Sequence, residues 1–258
     1  MLKEKIALVT GASSGIGRAT ALALGANGAS VALVGRNVEE LEKAAAQIAS
    51  SGSKTLPLAA DLTVEADRRR VIDRTVESFG GLDILVNSAG IIATGTIHDT
   101  SLTAWREMMD INLDAVFRLI QLALPHLERR RGNIVNVSSV NGIRAFPGVL
   151  AYCVSKAAVD QLTRCAAMEL APKGIRVNAV NPGVTITNLH RRSGMEEERY
   201  SAFLEHSKTT HPLGRALNRV GTPEEVADLI VFLASDKAAW ITGASHAIDG
   251  GRHQTCAR

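Results

Sequence analysis

The stretch Ile6-Ala7-Leu8-Val9-Thr10-Gly11-Ala12-Ser13-Ser14-Gly15-Ile16-Gly17 decides how this chain is read. A continuous apolar run ends at Thr10, three glycines follow, and a helical pattern starts at once. A glycine-rich strand-to-helix turn lets the main chain approach a pyrophosphate closely. The helix N-terminus adds free N–H groups and the positive end of its dipole. The spacing G-x-x-x-G-x-G differs from the usual G-x-G-x-x-G, so the same residues also read as a tight turn that packs helix against strand.

Outward from this turn, short apolar runs alternate with longer helical patterns to the end of the chain. Strands are expected at Lys5 to Thr10, Ser30 to Gly35, Thr55 to Ala60, Leu82 to Asn87, Asn133 to Ser138, Arg176 to Asn181 and Ser245 to Ile248. Helices are expected at 15–26, 38–50, 63–79, 102–129, 151–171 and 223–235. The last has a clear start, with Thr222 as N-cap, Pro223 at the first helical position and Glu225 completing a capping box. This alternation marks βαβ units and a parallel sheet, and the unbroken apolar strands imply helices on both faces. The segment 184–221, rich in His, Arg, Glu and Ser, has no clear pattern and is expected to be a functional loop or lid.

Composition agrees with one α/β domain spanning 1–258. Hydrophobic residues make up 46% and charged residues 21%, enough apolar material for a sizeable core. A net charge of +3 and an aromatic share of 3% argue against a dedicated nucleic-acid binder, which needs basic patches and rings to stack on bases. Cys153, Cys165 and Cys256 are an odd set without metal-ligand spacing, which points to a reducing compartment. No basic-then-apolar leader precedes the first strand, and the charge-free run between Arg18 and Arg36 is shorter than the ~20 residues of a membrane span. A soluble, cytoplasmic protein with no membrane or nucleic-acid partner is expected, and no metal.

Three further features carry chemistry. The second strand stops at Gly35-Arg36-Asn37, where dinucleotide sites read the adenosine ribose. An acidic residue there would accept from a 2′-hydroxyl; Arg36 instead suits a 2′-phosphate, favouring NADP over NAD, unless it only caps an exposed turn. Tyr152 and Lys156 stand four apart, on one helix face, where an ammonium would lower the tyrosine pKa toward neutrality for proton exchange with a carbonyl or alcohol oxygen. In most sequences such a pair is an ordinary helix face. Here Ser138-Ser139 ends the fifth strand, at the sheet edge where open α/β folds bind ligands.

Thr10 to Gly17, Asp61, Asn87-Ser88-Ala89-Gly90, Asn112, Ser139, Tyr152, Lys156, Asn181-Pro182-Gly183 and Asp249-Gly250-Gly251 together resemble the short-chain dehydrogenase/reductase family, over almost the whole chain. The resemblance implies a single Rossmann-type doubly wound domain with a seven-stranded parallel sheet. It also implies a tetrad of Asn112, Ser139, Tyr152 and Lys156. Tyr152 is then the general acid/base, Lys156 lowers its pKa and holds the nicotinamide ribose, Ser139 steadies the substrate oxygen, and Asn112 helps hold a proton-relay water. The cofactor contacts it implies are Gly11, Ser13, Ser14, Gly15, Ile16 and Gly17 on the first turn, Arg36 and Asn37 after the second strand, and Asp61 and Leu62 after the third. Asn87, Ala89 and Gly90 follow the fourth strand, and Pro182, Gly183, Thr185 and Thr187 follow the sixth. Asp61, placed to meet the adenine amine, also reads as a cap on the next helix, and Thr187, placed to meet the carboxamide, as a plain loop residue.

This sequence departs from the family pattern in three places. Ser88 replaces an Asn that commonly braces the central sheet, Thr185 stands where Ile or Val is usual, and about four extra residues sit at 216–219. The expected activity is NADP-dependent interconversion of a carbonyl and a secondary alcohol, closest to the 3-oxoacyl-acyl-carrier-protein reductase-like branch. A sugar, steroid or xenobiotic ketone is the alternative substrate, and a non-catalytic NADP-binding sensor the alternative class. His190, Arg191, Arg192 and Arg215 suit an acidic substrate or carrier, while Met195, Phe203 and Leu204 suit an apolar one. Arg129-Arg130-Arg131 reads either as a dock for an acidic carrier or as complementation of a helix dipole. The resemblance further implies a homotetramer built on helices 102–129 and 151–171 and the C-terminal strand.

Overall fold

The computed structural model describes residues 1–255. Its first half runs β1 (Ile6–Thr10), α1 (Gly15–Ala26), β2 (Ser30–Gly35), α2 (Val38–Ser50), β3 (Thr55–Ala59), α3 (Glu65–Phe79), β4 (Ile84–Asn87), α4 (Leu102–Met109) and α5 (Ala115–Arg130). It continues through β5 (Asn133–Val137), α6 (Val140–Ile143), α7 (Leu150–Leu170), β6 (Arg176–Pro182), α8 (Leu189–Arg192), α9 (Glu197–Thr210), α10 (Pro212–Leu217), α11 (Pro223–Ala234) and β7 (Ser245–Ile248). All strands pair in parallel, in the order β3-β2-β1-β4-β5-β6-β7. The chain leaves β1 toward one edge and returns at β4 toward the other, so the crevice outside the carboxyl ends of β1 and β4 is the place where such sheets bind ligands.

The strands are apolar throughout because each feeds two cores. Ala7 and Val9 of β1, with Val31 and Leu33 of β2, pack under α1, α2 and α11 against Leu24, Leu41 and Ile230. Ile6, Leu8, Ala32 and Val34 face the opposite way, onto Val71 of α3, Leu119 of α5 and Ala167 of α7. Pro57 lies in β3, an edge strand, where its missing N–H costs no ladder bond.

Two expectations are corrected. The helix expected over 102–129 is broken by a π turn at Asp110–Asp114, which carries Asn112, and π turns of this kind often mark functional positions. The segment 184–221 is not a loop but holds α8, α9 and α10. The added residues there are built in: Asn218 takes a left-handed conformation (φ 51°) after α10, and Arg219 pairs with Glu225 at 2.8 Å. That carboxylate also accepts from Thr222 N–H at 2.9 Å, completing the capping box of α11. Arg219 and these bonds hold the Glu225 pKa down at about 2. Cys153 and Cys165 are free thiols, and Cys256 lies outside the described residues.

Candidate active site

At the end of β1 the Thr10 hydroxyl accepts from the N–H groups of Ser88 (2.9 Å) and Ala89 (3.0 Å), fastening β1 to the segment after β4. Gly11 and Gly15 turn the chain with φ of 68° and 55°, values that side chains resist. Gly17 has a different reason, since a Cβ there would stand 2.4 Å from the Gly11 carbonyl oxygen. The result is a bare helix start. Ser14, the N-cap of α1, makes no side-chain capping bond, and the first turn holds no acidic residue. Gly11, Ser13, Ser14, Gly15, Ile16 and Gly17 all line a cleft of about 710 Å³. Uncapped N–H groups, a positive dipole end and glycines without Cβ atoms together fit a pyrophosphate.

Arg36 lines the next part of the cleft, exposed, and forms no ion pair among the described residues. Asp61 and Leu62 line it too. One Asp61 oxygen accepts from the N–H (3.0 Å) and hydroxyl (2.8 Å) of Thr63, bonds that chiefly depress its pKa, with Arg36 adding to the effect. Asp61 thus shapes the turn before α3 while lining the cleft, and the N-cap position of α3 itself falls to Val64. The buried guanidinium of Arg68, which sequence reasoning missed, fixes this loop by donating to the carbonyls of Leu62 and Thr63 and to Asp110 (3.1 Å). The Asn37 side chain caps α2, accepting from Glu40 N–H at 3.1 Å, and is not part of the cleft lining.

The Asn87 side chain points away from the cleft. It is buried and donates to Asn136 at 2.9 Å, which donates in turn to Thr163 at 2.9 Å, so it braces β4, β5 and α7 behind the cleft wall. Ser88, Ala89 and Gly90 form that wall. The Ser88 departure thus sits beside a sheet already braced by Asn87 and Thr10.

The catalytic candidates come from three elements. Ser139 is the N-cap of α6, its hydroxyl accepting from Asn141 N–H at 3.1 Å. Tyr152 and Lys156 lie on the buried face of α7 and, with Ser139, line the cleft. Lys156 Nζ donates to the Val137 carbonyl at 2.8 Å and stands 5.8 Å from the centre of the Tyr152 ring. Asn112 sits just behind, fully buried and outside the cleft lining. Its Oδ1 accepts from Ile91 N–H (2.9 Å), and its Nδ2 donates to the Ile91 carbonyl (3.0 Å) and Ser155 hydroxyl (3.0 Å). A Cβ on Gly90 would fall 3.2 Å from Asn112 Oδ1 and 3.6 Å from Lys156 Nζ, a tight fit against the amide that holds this wall.

The expected low tyrosine pKa is not found here. Burial pushes Tyr152 up to about 12, and the hydrogen bond from Ser139 only partly opposes this. The ammonium that would lower it is aimed at Val137 and is itself disfavoured, its pKa brought down to about 8 by burial, with Asp160 pulling the other way. Asp160, one turn beyond Lys156, was also missed, although the spacing 152, 156, 160 along one face was the available signal. Its carboxylate accepts from Asn181 Nδ2 (3.1 and 2.9 Å), and that same amide donates to the Ser139 carbonyl at 2.8 Å.

Pro182, Gly183, Thr185 and Thr187 line the far side of the cleft. The Thr185 hydroxyl is turned onto the Gly183 carbonyl at 3.2 Å, and Thr187 lies over Gly15, its Cγ2 3.1 Å from where a Cβ would be. Beyond Tyr152 the walls are mixed, with Ile92, Val149, Phe146 and Phe203 beside His190 and Arg192. Arg191 instead pairs with Glu197 at 2.7 Å and covers the Tyr200 ring, while Met195, Leu204 and Arg215 stay outside the lining.

The sequence matches the protein family described as enoyl-(acyl carrier protein) reductase over residues 11–253. It is 38% identical over 252 residues to 2-(S)-hydroxypropyl-CoM dehydrogenase 3 of Xanthobacter autotrophicus, covering 97% of each chain. It is also 38% identical over 251 residues to the 3-oxoacyl-[acyl-carrier-protein] reductase FabG of Thermotoga maritima, covering 97% of this chain and 98% of that one. A short-chain dehydrogenase/reductase from Caenorhabditis elegans, solved with cofactor, superposes with a TM-score of 0.92 at 36% identity, over 99% of this chain and 97% of the other. The chain belongs to the short-chain dehydrogenase/reductase family. As such it is a Rossmann-type oxidoreductase of CH–OH and C=O groups on small molecules, and it uses a nicotinamide cofactor. Among the described residues of this dehydrogenase/reductase, no helix is long and apolar enough to cross a membrane.

Proposed function

We propose that this chain interconverts a ketone and a secondary alcohol with NADP(H), binding cofactor and substrate within one domain. The observation that carries the reading is the placement of Tyr152, Lys156 and Ser139 on the same cleft as the bare N-terminus of α1. Gly15 to Gly17 would hold the pyrophosphate, and Arg36, which has no competing ion pair among the described residues, would meet a 2′-phosphate with its planar fork of donors. Bound nicotinamide supplies or accepts the hydride.

The protein's own part is proton delivery and positioning. Ser139 donates to the substrate oxygen, and Tyr152, held protonated by its burial, gives that oxygen its proton in the reducing direction. Lys156 balances the tyrosinate that remains. Asn112, saturated by Ile91 and Ser155, holds the Gly90–Ile91 wall next to Lys156 Nζ. The apolar walls around Phe146, Val149 and Phe203 seat the substrate body, and Arg192 faces an acidic group where the substrate or its carrier has one. Phe117 on α5 and Val154 and Met168 on α7 are exposed apolar side chains, as is Trp240 before β7, and their burial against further copies of the chain is the reason to expect a homo-oligomer, a tetramer by family resemblance.

A panel of acetoacetyl thioesters, diketones, quinones, steroids and sugars, read by NADPH consumption, tests this reading and assigns the substrate. Turnover on at least one carbonyl, reduced on the order of 10²- to 10⁴-fold in Tyr152→Phe, is the expected result. Full activity in that variant would remove Tyr152 from the mechanism. Tight NADPH binding without any turnover would make the protein a sensor.

A further inference from the structure

The segment 184–221 lines the cleft with Thr185, Thr187, His190, Arg192 and Phe203, and one buried ring stands behind that lining. His211 closes α9 and precedes Pro212, the first residue of α10, and is 5% exposed. Its Nδ1 lies 2.7 Å from the Ser207 carbonyl oxygen, an acceptor only, so Nδ1 carries the proton. Nε2 is then left with its lone pair, and the Val184 N–H donates to it at 3.2 Å. Burial holds the ring's pKa below the ordinary histidine value, consistent with this neutral tautomer. A Cβ on Gly183 would lie 2.9 Å from the same Nε2, so the ring rests directly on the Gly183–Val184 turn.

The other ties of that turn leave the Val184 N–H to the ring, with the Gly183 carbonyl taken by the Thr185 hydroxyl at 3.2 Å and Ile186 N–H bonded to the Gly221 carbonyl at 3.1 Å. Gly183 N–H donates to the Ile248 carbonyl (3.1 Å), and the Val184 carbonyl accepts from Gly221 N–H (3.1 Å). Gly183, Val184 and Thr185 line the cleft, and Thr187 beyond them closes over Gly15. The ring therefore touches no cleft surface itself but decides where part of it stands. Loss of the Nε2 acceptor would leave the Val184 N–H unpaired in a half-buried turn, which the main chain relieves by moving.

We propose that His211 is a positioning residue, a latch whose Nε2 fixes the Gly183–Val184 turn and so couples α9 and α10 to the nicotinamide side of the cleft. The second half of this statement rests on the cofactor reading above; the first does not. Two variants separate the ring's two nitrogens. In His211→Gln the side-chain carbonyl reaches the acceptor position of Nε2, whereas in His211→Asn the amide keeps only the donor position of Nδ1, toward Ser207.

Hydrogen–deuterium exchange of the Val184 amide in the cofactor-free protein is the first measurement, and NADPH affinity the second. The expected result is exchange at Val184 on the order of tenfold faster in His211→Asn, near parental in His211→Gln, and NADPH dissociation constants that follow the same order. Melting temperatures taken alongside report the general loss of the ring, including its Nδ1 contacts to Ser207 (2.7 Å) and the Thr210 hydroxyl (3.1 Å), whose position His211→Asn keeps and His211→Gln gives up. Equal protection of Val184 in all three proteins would overturn the latch. So would equal NADPH weakening in Asn and Gln that tracks the melting loss. A parent protein that binds no NADPH would refute the cofactor reading instead, and Val184 exchange would still decide the latch.

Discussion

Lys156 should destabilise the fold it serves. Its ammonium is buried with one hydrogen bond, to the Val137 carbonyl, and burial lowers its pKa from 10.5 to about 8. That fall corresponds to about 3 kcal/mol of folding free energy lost while the group is charged in both states. Replacing it by methionine, similar in length and apolar, removes this penalty but leaves the Val137 carbonyl without its donor, a loss of about 1–2 kcal/mol. The net expectation at pH 7 is a gain of about 1–2 kcal/mol, or about 3–6 °C in a chain of this size. Below about pH 8 the folded protein and the unfolded chain both hold the proton, so the penalty is complete. Between about 8 and 10.5 the folded protein has shed it and the unfolded chain has not, so the penalty fades, and above 10.5 it is gone. Thermal melts of parent and Lys156→Met across this range check the idea, with turnover measured in parallel. A variant that melts at or below the parent at pH 7, or whose advantage does not shrink toward pH 10.5, would refute the reasoning. Turnover should be lost at every pH.

Arg36→Asp should exchange NADPH for NADH preference, moving the ratio of the two kcat/KM values by about 10- to 100-fold, as loss of charge-assisted bonds to a phosphate requires; an unmoved ratio returns Arg36 to an exposed turn. Gly17→Ala should cost about 1–3 kcal/mol in melts and abolish NADPH binding, because its Cβ meets the Gly11 carbonyl at 2.4 Å. Gly52→Ala, with open space around it, should leave NADPH binding intact. Burial lowers the pKa of His190, His211 and His246, so the folded state favours their neutral forms. Their contribution is complete above the ordinary histidine pKa of about 6.5 and is lost as pH falls below it, which melts would show as a plateau from about pH 8 to 6.5 and a decline from there to about pH 5.

The strands were legible because burial on both faces writes itself as unbroken apolar runs, and α11 because its cap residues stand in the right order. Tyr152, Lys156 and Ser139 stood out by their spacing and place at a strand end, whereas Asn112 entered only through the family resemblance; the first three line the cleft. What spacing could not convey was direction. Asn87 belongs to the motif beside Ala89 and Gly90, yet strand alternation turns it inward onto Asn136. Lys156 is one turn from Tyr152, yet the free Val137 carbonyl draws its ammonium away. The π turn at Asp110–Asp114 has no sequence signature, since one added residue in a helix leaves the apolar pattern nearly unchanged.

The segment 184–221 was illegible for a different reason, which bears on its role. Helix α9 buries only Tyr200 and Ser207, whereas α5 buries six residues, so α9 has almost no apolar stripe for periodicity to find. It is held by polar anchors instead. Tyr200 donates to the Thr187 carbonyl at 3.0 Å, His211 takes the Val184 N–H, Leu213 N–H donates to the Gly250 carbonyl at 3.0 Å, and Arg219 pairs with Glu225. Each such bond contributes about 1 kcal/mol net, far less than a buried apolar face would, so the segment can part from the cleft without unfolding the sheet beneath. Two of the four anchors, at Val184 and Thr187, end on the main chain that lines the cofactor side of the cleft. The same scarcity of apolar contact that hides these helices from sequence reading therefore leaves their position tied to main chain that lines the cleft.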